Sequence, residues 1–211
     1  MRMNTRGLLG KPFPYAQYNA ATWLIGITVC SYLIQLTMPT FLGALILRPQ
    51  ALAQERAVWQ LVTYLFLHAD MWHLLFNMLM LFLFGSRVER ELGSSEFLSL
   101  YLSCGMIAGI FSTVLALMSA TNIAILGSSG AVYGILLAYA VLNPREIVTF
   151  WFIPMRSTTM VLILGGLSLI FQLSGSRSHI AHLTHIGGLA AAFLYLRIRI
   201  GIDPMDSFRR Q

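Results

Sequence analysis

The stretch Leu126-Gly127-Ser128-Ser129-Gly130-Ala131-Val132-Tyr133-Gly134 joins two apolar runs and opens a helix too short to cross a bilayer. From Ser129 to Asn143, just before Pro144, there are 15 residues. That is about 22 Å of α-helix, against a hydrocarbon core of about 30 Å. With the Pro144 end at one membrane surface, Ser129 begins its helix several ångströms below the other. A helix N-terminus carries unpaired N–H groups and the positive end of the helix dipole. Inside a membrane, that combination suits a developing oxyanion. The same Gly-Ser-Ser-Gly would equally serve as a turn with an N-cap, and the rest of the chain decides between the two.

Of the 211 residues, 57% are hydrophobic and 10% charged, with mean hydropathy +0.71. Soluble domains run at roughly 45–50% apolar and 25% charged. The charges are also segregated. None occurs from Pro12 to Leu47, from Phe97 to Pro144 or from Ser157 to Ser176, and from Ser178 to Leu196 three histidines are the only Asp, Glu, Lys, Arg or His side chains. Such runs read as transmembrane helices, which makes the lipid bilayer the first partner. A net charge of +6 would suit nucleic acid in a soluble chain. Here the arginines cluster at helix ends, as the positive-inside rule requires, and no nucleic-acid partner is expected. Cys30 and Cys104 both lie in apolar runs and read as buried free thiols.

The expected fold is all-α: a polytopic membrane bundle of six transmembrane helices over residues 19–200, with cytoplasmic tails at 1–18 and 201–211. The spans run approximately Asn19–Met38, Met71–Gly85 or beyond, Phe97–Met118, Ser129–Asn143, Thr158–Leu173 and His182–Ile200. Pro12 and Pro14 keep the N-terminal tail from being helical. The connector Pro39–Asp70 is too apolar for a solvated loop and is expected in the membrane interface. Six spans put both termini on one side. That side then holds eleven Lys and Arg residues, and the other holds Arg48, Arg56 and Arg177. The termini are therefore expected in the cytoplasm and Ser129 near the external face. The expected location is a cell membrane, the bacterial inner membrane being the first candidate.

Polar residues within spans are costly and frequently functional. His73 and Asn77 are i and i+4 on one helical face, as are Ser129 and Tyr133. His182 and His185 open the last span. Each alone is equally well used in an interhelical hydrogen bond. Two small-residue stripes add a constraint: Gly130, Gly134 and Ala138 on the fourth span, Gly188 and Ala192 on the sixth. Such faces let backbones approach closely. Packed together, they would bring the Ser129 hydroxyl towards the His185 imidazole, the arrangement a serine nucleophile and its base require. No carboxylate is available to orient the ring, which Tyr133 could hold by packing. A metal site fits less well, because His179, His182 and His185 are spread around the helix with no carboxylate or cysteine to complete a set. No metal and no cofactor are expected.

Taken together, these residues resemble the rhomboid family of intramembrane serine proteases over roughly Trp59 to Ala192. Trp59-Gln60 with Thr63 is similar to the family's Trp-Arg element, with Gln60 in place of the arginine. His68, His73 and Asn77 match its histidine-and-asparagine segment, and Gly85, Glu89 and Leu92-Gly93 match the end of its second span. Gly127-Ser128-Ser129-Gly130 matches the family's GxSG, and Ala181 to Gly188 resembles the segment with the catalytic histidine. Ala192 replaces a second glycine. The resemblance implies Ser129 as nucleophile and His185 as base, with Asn77 and His73 at the oxyanion. Tyr133 and Gly130 then support the dyad, and Gly134, Gly188 and Ala192 pack the helices. The substrates implied are transmembrane proteins. A catalytically silent relative that binds or escorts membrane segments is the alternative. A histidine-relay transporter would call for inverted repeats and charged spans, and neither is present.

Overall fold

The structure is a computed structural model in which residues 12–38, 40, 43–150, 152–173 and 179–209 are described. Arg2, Arg6, Lys11, Arg177 and Arg210, which enter the charge count, lie outside the described residues, as does the side chain of His182. Four helices are long and apolar enough to cross a membrane: Ala20–Thr37, Met71–Leu92, Ser94–Met118 and Leu183–Ile200. Two shorter apolar helices lie among them, Ser129–Leu142 and Ser157–Ile170. The chain is a helical bundle and a multi-pass membrane protein.

In chain order the bundle is α1 (Ala20–Thr37), α2 (Met71–Leu92), α3 (Ser94–Met118), α4 (Ser129–Leu142), α5 (Ser157–Leu173) and α6 (His179–Tyr195). A π-helical stretch, Leu81–Gly85, interrupts α2, and another, Leu196–Ile200, prolongs α6. A short helix α7 (Pro204–Arg209) follows. Residues 12–18 are not helical, in keeping with Pro12 and Pro14.

Helix α4 forms the centre. Gly130, Ala131 and Val132 are buried, and so is every residue from Gly134 to Val141. A helix apolar on all sides belongs inside a bundle, and α3, α5 and α6 pack around this one. Its 14 residues span about 21 Å, well short of the 25-residue α3 beside it.

One end of the bundle is tied by two acidic side chains. The Glu89 carboxylate, at the close of α2, accepts from the first amides of α1, Ala20 N at 2.6 Å and Ala21 N at 2.9 Å. Ser94 Oγ at the start of α3 donates to it as well. This places a negative charge at the positive end of α1, which has no side-chain cap of its own. Glu96 accepts from Phe13 N at 2.9 Å and from Arg199 Nε at 3.0 Å. Between α4 and α5 the chain adds a hairpin that the sequence reading did not anticipate. Strand β1 (Ile147–Phe150) pairs antiparallel with β2 (Ile153–Arg156), Ile147 opposite Arg156.

Candidate active site

The Gly127–Ser129 turn is held by connectors on either side. Leu47 and Ile125 exchange backbone hydrogen bonds, Leu47 N to Ile125 O at 3.1 Å and Ile125 N to Leu47 O at 2.8 Å. Gly127 N donates to Tyr64 O at 3.0 Å, and the Tyr64 hydroxyl donates to Gly105 O on α3 at 2.7 Å. The first connector is itself sewn together by the Trp59 region. Gln60, almost fully buried, accepts from Arg48 N at 3.0 Å and donates to Ala44 O at 3.2 Å. Thr63 Oγ1 donates to Leu45 O at 2.8 Å. A neutral amide thus satisfies loop carbonyls and amides with no charge to compensate.

Gly127 has φ +113°, and a Cβ there would lie 2.5 Å from His73 Cε1 and 2.8 Å from its Nε2. Only glycine adopts that backbone readily and leaves the imidazole its place. The two serines that follow diverge. Ser128 is fully buried, its Oγ 3.3 Å from His68 Nε2. His68 is also fully buried, and burial foremost, then the charge of His73, pushes its pKa down to about 3. It is therefore a neutral partner under ordinary conditions. Ser129, the first residue of α4, instead lines a cavity of about 600 Å³ together with His73, Asn77, Tyr133 and His185.

Within that cavity Ser129 Oγ lies 3.0 Å from His185 Nε2. The His185 ring stacks on Tyr133, centroids 4.1 Å apart and planes within 8°. On α2, Asp70 caps the helix by accepting from His73 N at 2.8 Å, and Asn77 Nδ2 donates to His73 O at 2.7 Å. These bonds fix the first turns of α2, from which His73 and Asn77 line the cavity.

The approach of α4 to α6 is very close. A Cβ on Gly188 would fall 1.9 Å from Gly130 O, and one on Gly130 would meet Ala108 Cβ on α3 at 2.7 Å and Thr184 Cγ2 on α6 at 3.1 Å. Ala192, a turn further along α6, is fully buried. Gly134 meets α3 before α6, as Gly130 does. Its closest neighbour is Cys104 on α3, whose Sγ a Cβ would meet at 2.6 Å, with Gly188 O further off at 3.3 Å. The α4 stripe therefore fits α3 as well as α6.

One polar neighbour was not anticipated. Ser168 on α5 places its Oγ 3.4 Å from His185 Nδ1 and 3.2 Å from the Tyr133 hydroxyl. Among the described residues no three His, Cys, Asp or Glu side chains are grouped as a metal site would require.

The family model for the rhomboid domain matches residues 55–201. The chain is 33% identical over 138 residues to YdcA of Bacillus subtilis, covering 64% of either chain. It is 32% identical over 155 residues to the rhomboid protease GluP of Bacillus subtilis, covering 72% of this chain and 28% of GluP. Against the rhomboid protease GlpG of Haemophilus influenzae it is 30% identical over 150 residues, 69% of this chain and 74% of that one. The matched region thus spans less than two thirds of the length of YdcA and GluP.

Proposed function

The chain belongs to the rhomboid family, and on that premise we propose that it is an intramembrane serine endopeptidase acting on transmembrane segments of other proteins. The observation that carries the reading is the 3.0 Å contact of Ser129 Oγ with His185 Nε2 at the edge of a cavity inside an apolar bundle. A hydroxyl is a weak nucleophile at neutral pH and needs an adjacent base. His185 takes the Ser129 proton as Oγ attacks the scissile carbonyl, then returns it to the leaving amine. The acyl-enzyme is hydrolysed by water through the same base.

The negative charge of each tetrahedral intermediate develops on the carbonyl oxygen. The Ser129 backbone N–H, free of an intrahelical partner at the start of α4, is directed at it. The Asn77 amide and the His73 ring supply further donors from α2. Donors fixed before the reaction and shielded from water are worth more than the same groups in solution. We further propose that the domain spans residues 19–200 with both termini in the cytoplasm, which puts Ser129 near the external face. A substrate helix would unwind there to present its backbone.

The test is cleavage of model transmembrane substrates by the purified protein, followed on gels. Wild-type protein should cleave, with or without a chelator, and Ser129→Ala and His185→Ala should each abolish cleavage while remaining folded. Nucleophile and base act as a unit, so loss of either costs nearly as much as loss of both. A wild-type protein that binds such segments and cleaves none would favour the escort reading.

A further inference from the structure

Ser168 is a polar side chain at the dyad to which the mechanism above gives no role. It is 2% exposed on an otherwise apolar stretch of α5. Its Oγ lies 3.0 Å from Leu164 O, 3.2 Å from the Tyr133 hydroxyl and 3.4 Å from His185 Nδ1. A serine has one proton to donate and two lone pairs. The Leu164 carbonyl only accepts and is the nearest of the three, so the single Ser168 proton is directed at it. What faces His185 is then a lone pair, and the ring must present an N–H to it. A neutral imidazole carries its proton on one nitrogen only. With that proton on Nδ1, the free lone pair is on Nε2, the atom that meets Ser129 Oγ at 3.0 Å. This is the tautomer a base for Ser129 needs.

We propose that Ser168 is a positioning residue for the dyad. Its hydroxyl holds His185 in the Nδ1–H tautomer and supports the ring as it takes up the Ser129 proton. The inference rests on the Ser129–His185 reading. A serine within a helix commonly bonds the carbonyl four residues back, and the Leu164 contact alone would be no more than that. The same oxygen, however, meets both the distal nitrogen of His185 and the tyrosine that stacks on its ring. Three helices thereby divide the work: α6 supplies the base, α4 fixes the plane of its ring through Tyr133, and α5 fixes its proton.

The contact gains most when it matters most. Once Nε2 has accepted the proton, Nδ1–H belongs to an imidazolium, and hydrogen bonds from charged donors are shorter and roughly twice as strong. A hydroxyl does this without placing a carboxylate in the membrane interior, where an unpaired charge is expensive.

The experiment measures two rates on the full-length protein in liposomes: labelling by a fluorophosphonate probe, and turnover of a model transmembrane substrate. Ser168→Ala should lower both the labelling rate and kcat by about 10- to 100-fold, the range for a lost hydrogen bond to a charged group, with KM and Tm unchanged. Ser168→Thr keeps the hydroxyl and should retain most of the rate. Ser168→Val has the same shape without the hydroxyl and should fall with Ser168→Ala. The inference is overturned, with the dyad reading intact, if Ala and Val variants label and turn over as wild type does. It is equally overturned if Thr is as slow as Val, or if only KM or Tm moves. A wild-type protein that neither labels nor cleaves overturns both readings.

Discussion

Replacing Gly188 by alanine adds a single methyl group, yet the site leaves no room for it. The new Cβ would lie 1.9 Å from Gly130 O and 2.7 Å from its carbonyl carbon. Side-chain carbons essentially never approach other atoms within 3.0 Å, so α6 must retreat from α4 by about 1 Å. The obstacle is backbone on both sides, and no rotamer change relieves it. Gly130 follows Ser129 directly, and His185 lies one turn before Gly188 on α6, so the retreat is transmitted to the 3.0 Å Ser129–His185 contact. A misplacement of about 1 Å can cost about 10²-fold in rate. Gly188→Ala should show a loss of that order in initial cleavage rate and a lowered Tm, because close packing rather than hydrophobic burial holds membrane helices together. Gly134→Ala is the informative contrast. Its Cβ meets chiefly the Cys104 side chain on α3, so it should lower Tm and leave the rate within about 10-fold of wild type. Gly166→Ala, where nothing lies within 4 Å, serves as the neutral control. A Gly188→Ala protein that cleaves at the wild-type rate would refute the claim that this contact sets the distance between nucleophile and base.

Other outcomes follow from single contacts. Gly127→Ala should abolish cleavage with little loss of helix content by circular dichroism, since its φ of +113° and the His73 ring both exclude a Cβ; full activity would show that the turn is not strained. Glu89→Gln should lower Tm, because an amide cannot accept with both ends from Ala20 N and Ala21 N as the carboxylate does. Hydrogen bonds to charged groups contribute about 1.5–3 kcal/mol each, and an unchanged Tm would remove Glu89 as the tie between α1 and α2. For topology, cysteines introduced at Arg90 and Arg209 should react with impermeant reagents from the cytoplasmic side only. Labelling from outside would invert the proposed orientation.

Much of the fold was legible because membrane helices must satisfy their backbones internally and cover themselves with apolar side chains. The uncharged runs gave α1, α3 and α5 to within a few residues, and Pro144 marked the end of α4. The small residues at 130 and 188 announced a close helix crossing, which periodicity alone suffices to indicate. What lay hidden depends on contacts between distant parts of the chain. Nothing local in the Gly130 and Gly134 stripe shows that it presses on α3 as well as α6, yet a Cβ at either would meet Ala108 or Cys104 of α3 first. Nothing in its own helix separates Ser168 from any other serine, and only the arrangement of α5 beside α6 brings it to His185. The four-residue strands of the hairpin are too short for alternation to distinguish them from loop. Gln60 departs from the family's arginine, and its use as a loop tie became visible only with its partners, Arg48 N and Ala44 O.

Everything proposed for the site turns on Ser129, activated by His185, as the nucleophile. The most direct test is to treat the reconstituted protein with a fluorophosphonate probe and map the adduct by mass spectrometry. The wild type should carry a single adduct, on Ser129, and His185→Ala none. An adduct on Ser128, or equal labelling of Ser129 with and without His185, would contradict that assignment.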